Sequence, residues 1–263
     1  MSIVTIFAIG LVAGIITGQI GASGVMVIVP GLIMLGYSTF DAIGVSLFAD
    51  TIASLIVSWT YYQHGNLNLK QGWWIAIGSV LGAQMGSFIS PHIPEIGLSN
   101  SFGIFLIITA VIFWRRGNRK SLIATNKEQS INKDKKNNLL SFLKSNVVIS
   151  GIILGLLIGI ITGLLGAGGG VMILLILVFV MDYKMHEGIG TSTLIMAFTA
   201  ASGSIGHAIT GNLPYEAAIY AALGAVIGGR ISARYANKVN EAILSKIVGT
   251  IFAILGIMMI MGI

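Results

Sequence analysis

The chain has 263 residues, of which 55% are hydrophobic and only 9% charged, with a mean hydropathy of +0.92, whereas soluble domains carry roughly 25% charged residues; a water-soluble helical core is excluded for want of polar surface. The net charge of +6 is no nucleic-acid signal, because nine of the fifteen Lys and Arg fall in one polar stretch, residues 115–146. No cysteine is present, which excludes disulfides, thiolate metal sites and cysteine nucleophiles.

Taken in chain order, the first part offers apolar segments at 3–17, 25–36, 42–62, 71–90 and 98–114. No Lys or Arg precedes Lys70, so the basic n-region of a secretory signal is missing and the first helix is expected to be retained. The stretch 115–146 is rich in Asn, Lys and Ser and reads as a flexible linker. Its charge places it in the cytoplasm, where Lys and Arg collect. A second set of apolar segments follows at 147–162, 171–181, 187–209, 214–234 and 243–262. The expected organisation is a first membrane repeat over 1–114, a basic cytoplasmic linker over 115–146 and a second membrane repeat over 147–263.

The two sets are copies. Gly14-Ile15-Ile16-Thr17-Gly18-Gln19-Ile20-Gly21-Ala22-Ser23-Gly24-Val25-Met26 returns as Gly159-Ile160-Ile161-Thr162-Gly163-Leu164-Leu165-Gly166-Ala167-Gly168-Gly169-Gly170-Val171-Met172. Beyond it Tyr37 falls on Tyr183, Ser46 on Ser192, Ser58 on Ser204, Gly65-Asn66-Leu67 on Gly211-Asn212-Leu213, Gly78 on Gly224 and Gly82 on Gly228. In each copy a glycine cluster interrupts apolar sequence, the pattern of a transport fold with its site at the repeat interface.

The first two segments of each set are short against a hydrocarbon core roughly 30 Å thick. They form either one broken span, giving parallel copies, or a re-entrant hairpin, giving inverted copies. With the linker in the cytoplasm, the hairpin reading puts Lys70, Lys184, Arg230, Arg234, Lys238 and Lys246 all at cytoplasmic ends. The broken-span reading puts the last four outside. The positive-inside bias therefore favours an all-α polytopic membrane protein of two inverted repeats, each a re-entrant helical hairpin plus three transmembrane helices.

Inversion brings Gly18–Gly24 and Gly163–Gly170 face to face near the bilayer midplane. Non-helical backbone at that depth must be buried or line a polar cavity. Short helices starting near Val25 and Val171 point their N-termini into this space, and free N–H groups at the positive dipole end bind anions. The candidate substrate-binding residues here are Gly21, Ala22, Ser23, Gly24, Gly166, Ala167, Gly168, Gly169 and Gly170, with the Gln19 amide. The alternative is that these glycines only allow tight helix packing.

On 42–62, Ser46, Asp50, Ser54 and Ser58 recur at intervals of four and share a face. Asp50 is the one acidic residue well inside an apolar span of the first repeat, and a carboxylate in a membrane is a functional candidate by default. It either carries a coupling proton or is protonated and hydrogen-bonded to a neighbouring helix. On 187–209 the residues nearest the cavity are taken as Thr191, Ser192 and Thr193, which join Ser46 as candidate ligands, although Ser and Thr in helices often bond back to the preceding turn. His207, near the outer end, reads as structural or as part of the rim. His64, His92, His186 and His207 lack metal-ligand spacing, so no metal and no cofactor is expected.

The doubled Gly-x-x-Gly-Ala-(Ser/Gly)-Gly element, Gly190-Thr191-Ser192, His64-Gly65-Asn66 and Gly211-Asn212 resemble the TauE/SafE family of sulfite exporters over nearly the whole chain. The resemblance implies a permease for sulfite, sulfonates and related organosulfur anions. Two departures stand out: the family often has a proline after each glycine cluster, and Pro30 fits but Ile176 does not; Gly44-Val45-Ser46 replaces Gly-Thr-Ser.

The expected function is secondary transport by alternating access of a small sulfur-containing anion such as sulfite, thiosulfate or an organosulfonate. The alternatives are an anion channel with the same pore, or a transporter of another small anion such as a carboxylate. An enzyme is not expected, since neither a metal-ligand cluster nor a nucleophile–base pair is present; with no nucleotide-binding loop, the energy is expected from an ion gradient, the membrane potential or the substrate gradient. The expected partners are the anion and membrane lipid, not nucleic acid, with a homo-oligomer left open. The expected location is a bacterial or archaeal cytoplasmic membrane. Reporter fusions after Pro91 and after Lys238 are expected to report opposite sides of the membrane; the same side for both would sink the inverted arrangement.

Overall fold

The structure is a computed structural model that describes residues 3–21, 23–70, 72–89, 104, 106–115, 147–165, 169–210 and 213–261. Most of the linker, and Ala22, Gly166, Ala167, Gly168, Pro91, His92, Gly211 and Asn212, lie outside the described residues. The described residues are helical apart from short connections. In chain order the helices are α1 (Ile3–Ile20), α2 (Val25–Met34), α3 (Thr39–Gln63), α4 (Gly72–Ile89), α5 (Leu106–Arg115), α6 (Val147–Leu165), α7 (Gly169–Leu175), α8 (Met185–Thr210), α9 (Tyr215–Ala236) and α10 (Glu241–Met261).

Local chemistry sets several of the ends. Ser38 caps α3: its hydroxyl accepts from the Asp41 N–H at 3.1 Å and donates to the Asp41 carboxylate at 2.7 Å, so a free amide of the first turn is satisfied. Asn240 caps α10 through the Ile243 N–H at 2.8 Å. Pro30 lies inside α2. Its counterpart Ile176 opens a π-helical turn, Ile176–Val180, that continues α7. Proline removes an amide from the ladder and a π turn shifts the ladder by one residue, so both copies loosen the short helix at the same place by different means.

Four helices among the described residues are long and apolar enough to cross a membrane: Ile3–Ile20, Thr39–Gln63, Met185–Ile209 and Glu241–Met258. Helix α1 corrects the expectation of a short segment ending at residue 17. It runs 18 residues, about 27 Å, and Gly18 stays helical because a neighbouring helix packs against it. The interruption is therefore narrower than the glycine cluster, with Gly21 in the left-handed region at φ 64°. Likewise Gly163 lies within α6.

Two compact units are present, and each draws on both sequence copies. The larger holds Met1–Ile93 and Val147–Asn237, and the smaller holds Pro94–Asn146 and Lys238–Ile263. In the smaller unit α5 lies against α10, with Phe113 and Phe252 rings 5.8 Å apart and nearly edge to face.

The larger unit is built by exchange. Helix α1 of the first copy packs on α9 of the second, and α6 of the second packs on α4 of the first. At the first seam Gly10, Gly14 and Gly18 meet the backbone of Ala221, Ala225 and Gly229; at the other Gly155, Gly159 and Gly163 meet Ile75, Ser79 and Ala83. Any Cβ at these glycines would strike a carbonyl of the facing helix. Both seams run parallel, and every pair in one is the repeat-equivalent of a pair in the other.

Two further relations define the unit. Helix α2 folds back along α1, with Gly24 beside Ala13 and Gly31 beside Ile9. Helices α3 and α8 cross antiparallel: Gly44 lies by His207, Leu47 by Gly203 and Tyr61 by Gly190. The outer faces are apolar. Trp73, Ile77, Leu81, Met85 and Phe88 line one side of α4, and Ile219, Leu223, Ile227 and Ile231 line one side of α9, all exposed. Small and hydroxyl residues face inward, as expected where the surrounding solvent is lipid and close packing drives helix association.

The packing predicts an asymmetric cost. Gly14→Ala should lower the thermal midpoint of the detergent-solubilised protein, since overpacking costs about 1–3 kcal/mol and each kcal/mol moves the midpoint about 2–4 °C in a chain of this size. Leu81→Ala, on the exposed face, should leave it nearly unchanged. Equal midpoints for Gly14→Ala and the wild type would refute the glycine seam.

Candidate functional site

The break between α1 and α2 gathers the buried polar groups. Asp50 projects from the middle of α3 and is almost fully buried. Its carboxylate accepts the Ser23 hydroxyl on Oδ2 and the Gly24 N–H on Oδ1, the latter at 3.0 Å. Ser23 Oγ in turn accepts the Val25 N–H at 3.2 Å. The first turn of α2 is thus capped by a carboxylate from another helix. Charge-assisted bonds and the positive end of the helix dipole offset part of the cost of burying that charge.

The rest of the turn is held from α8. Ser192 Oγ lies 3.3 Å from the Gly21 carbonyl and 3.0 Å from the Ile189 carbonyl of its own helix, and its single hydrogen is shared between them. Gly21 must be glycine, because its φ is positive and a Cβ would run into the Ser192 hydroxyl. The Gly21 N–H bonds the Thr17 carbonyl at 3.0 Å.

Other predicted residues take varied places. Gln19 is half-buried on the last turn of α1. Ser46 is fully buried and its hydroxyl has no partner; the same holds for Ser54. Ser46, Asp50 and Ser54 succeed one another by one turn on α3, so two unpaired hydroxyls flank the carboxylate. Ser58 bonds the Leu55 carbonyl at 3.0 Å. Thr193 is buried and bonds back to the Ile189 carbonyl. Gly169 and Gly170 are buried at the start of α7, with Gly169 against the Thr162 side chain.

Thr191 serves the chain after α3. Its hydroxyl donates to the Asn68 carbonyl at 3.1 Å and accepts the Asn68 N–H at 3.0 Å. Tyr183 adds a bond to the same carbonyl at 2.9 Å, and Asn66 Nδ2 reaches Asn237 Oδ1 at 2.7 Å. The end of α3, the start of α8 and the end of α9 are tied together by these side chains.

Sequence reasoning missed one pair. Tyr61 and His207 are repeat equivalents. The Tyr61 hydroxyl donates to the Gly18 carbonyl at 3.1 Å, and His207 Nε2 lies 3.2 Å from the Gly163 carbonyl. A carbonyl only accepts, so Nε2 carries the hydrogen. The Nδ1 atom is buried without a partner. Each side chain covers a carbonyl near the C-terminal end of α1 or α6, where helices leave such groups free. Superposing the two copies of sequence would have revealed two polar-tipped rings at one register.

Hydroxyls, amides and a carboxylate held within an apolar shell suit the passage of a small polar solute through lipid, and they define an integral membrane protein of the transporter class. The chain belongs to the TauE/SafE family: the family described as "Sulfite exporter TauE/SafE" matches residues 6–259. Among curated proteins it is 27% identical to the "Probable membrane transporter protein YunE" of Bacillus subtilis, over 99% of this chain and 98% of that one. It is 24% identical to the "Probable membrane transporter protein YdhB" of the same organism, over 94% and 96%. A protein of Methanocaldococcus jannaschii described in the same words is 23% identical over 96% and 93%. No solved structure gives a significant match.

Loss of the Tyr61 hydroxyl tests the carbonyl cover. Tyr61→Phe leaves the buried Gly18 carbonyl without that donor, a loss of about 1–3 kcal/mol. Its thermal midpoint should fall by several degrees, while Tyr62→Phe, at an exposed position, should match the wild type. No difference between the two variants would remove Tyr61 from the account.

Proposed function

We propose that the protein is a secondary transporter of a small sulfur-containing oxyanion, such as sulfite, thiosulfate or an organosulfonate, bound at the glycine turns and moved by alternating access. The observation that carries this reading is the turn Gly21–Gly24. In a chain of the sulfite exporter family, it buries an amide and a hydroxyl at the N-terminus of a half-length helix. Neutral donors of this kind stabilise an oxyanion without the desolvation cost of a buried cation.

The membrane arrangement is read as two inverted repeats, each opening with a re-entrant hairpin. The reversal of α2 along α1 supports the hairpin, and the antiparallel crossing of α3 and α8 supports inversion. Parallel copies would put the end of α3 and the start of α8 on opposite faces, yet Asn68 and Thr191 are bonded. Lys70, Lys184, Arg230 and Arg234 follow or precede helix ends joined by the Asn68–Thr191, Asn66–Asn237 and His186–Ala236 bonds. Positive charge therefore collects at one end of the larger unit, which is read as cytoplasmic.

Ser23, Gly24, Ser46 and Ser192 are the ligands favoured by this reading, with Gly169 and Gly170 at the start of α7 completing the site and Asp50 as the coupling group. Outward movement of an anion is aided by an inside-negative potential, by about 2.3 kcal/mol per charge per 100 mV.

Flux in proteoliposomes loaded with labelled sulfite, thiosulfate or a small sulfonate tests the assignment. Saturable flux is expected from the wild type. Gly24→Leu puts a side chain where Ala13 sits and should reduce flux to the level of protein-free vesicles while still eluting as a single gel-filtration peak. No flux of any sulfur anion by folded wild-type protein would overturn the substrate class.

A further inference from the structure

We infer that Asp50 is a resident anion occupying the donors that the transported anion needs, so that substrate binds at the start of α2 only together with a proton on Asp50. The inference rests on the anion-transport reading above and deepens it.

Both oxygens of the carboxylate are taken up by α2: one by the Ser23 hydroxyl, the other by the Gly24 N–H. An incoming oxyanion needs those same two donors. Two negative charges within bonding distance of one amide repel strongly in a buried site. Neutralising Asp50 removes the repulsion and frees the donors. The resulting carboxylic acid also gains an O–H with which to hold the anion.

A second, independent feature marks the place as a ligand site. The Ser46 and Ser54 hydroxyls are fully buried, unpartnered and one turn to either side of Asp50 on the same face of α3. Unpaired buried hydroxyls carry a desolvation cost, which a bound oxyanion would remove by accepting from them. The second copy keeps a serine, Ser192, at the Ser46 position but lacks the other two: Met196 stands where Asp50 would be and Ala200 where Ser54 would be. One proton per anion follows.

Among the described residues, no other titratable group on the helices packed around Asp50 lies at its level. Helices α1 and α2 contain none. On α8 they are His186, Glu187 and His207, at the ends, whereas Met196 and Ala200 pack beside Leu47 at the level of Asp50. On α9 they are Tyr215, Glu216 and Tyr220 at one end and Arg230, Arg234 and Tyr235 at the other, with none over residues 221–229. On α3 itself Asp41, Tyr61 and Tyr62 are more than two turns away.

The test is thiosulfate binding to the purified full-length protein in nanodiscs by titration calorimetry, from about pH 5 to 9. Thiosulfate keeps its charge over this range, so any pH dependence belongs to the protein. Above the titration of Asp50, wild-type affinity should fall about tenfold per pH unit. Above that titration, runs in two buffers of different ionisation enthalpy should show close to one proton taken up per anion, a readout that needs no variant. Asp50→Asn should bind with an affinity independent of pH and without proton uptake. A pH-independent wild-type affinity, zero proton uptake above that titration or an Asp50→Asn variant that keeps the wild-type slope would each overturn the inference. Absence of thiosulfate binding at every pH, in wild type and variant alike, would instead overturn the substrate reading on which it stands.

Discussion

The fold depends on two places where helix backbones touch. At the α1–α9 and α4–α6 seams, glycines let a carbonyl of one helix sit where a side chain would otherwise begin. In lipid no hydrophobic force pulls helices together, so dispersion at close range and weak backbone contacts must do it. These seams also join the copies. The first helix of each copy packs on a helix of the other copy, so neither copy can bury its inner face alone.

Exchange places the polar groups. Once α1 is seated on α9, the turn Gly21–Gly24 is enclosed between α3 and α8. Its free amides must then find partners inside the protein, because lipid offers none. Asp50 accepts the Gly24 amide from α3, and Ser192 on α8 donates to the Gly21 carbonyl. The copies answer the same demand differently. Tyr61 and His207 both cover a carbonyl at the end of a first helix, but only the first copy has a carboxylate at the start of its half-length helix. The duplicated scaffold thus carries a buried carboxylate at Asp50 where the other copy has Met196.

Energetically the centre is poised. A carboxylate in an apolar interior is tolerable only while its oxygens are fully bonded. The groups that bond it, a hydroxyl and an amide, are those suited to any small oxyanion. Two hydroxyls without partners beside it leave unused donor capacity. At the other end of α3, Asn66 and Asn68 tie the chain to α8 and α9.

Much of this was legible in the sequence. Composition alone determined a membrane protein, because nothing else can house so little charge. The internal repeat determined that the copies must fold alike, and the distribution of Lys and Arg pointed to inversion. The period-four row Ser46–Asp50–Ser54–Ser58 placed the carboxylate on a polar face, since helical geometry is local. What the sequence could not determine was partnership. Gly18 and Gly163 look like part of a loop but are helical, because their role is set by Gly229 and Ala83 on other helices. Thr191 and Ser192 are neighbours of the same chemistry, yet one bonds the chain after α3 and the other the glycine turn. Adjacent residues on a helix point about 100° apart, and what each meets depends on elements more than a hundred residues away. Which donors surround Asp50, and which hydroxyls remain unpaired, were decided only when the two copies packed into each other.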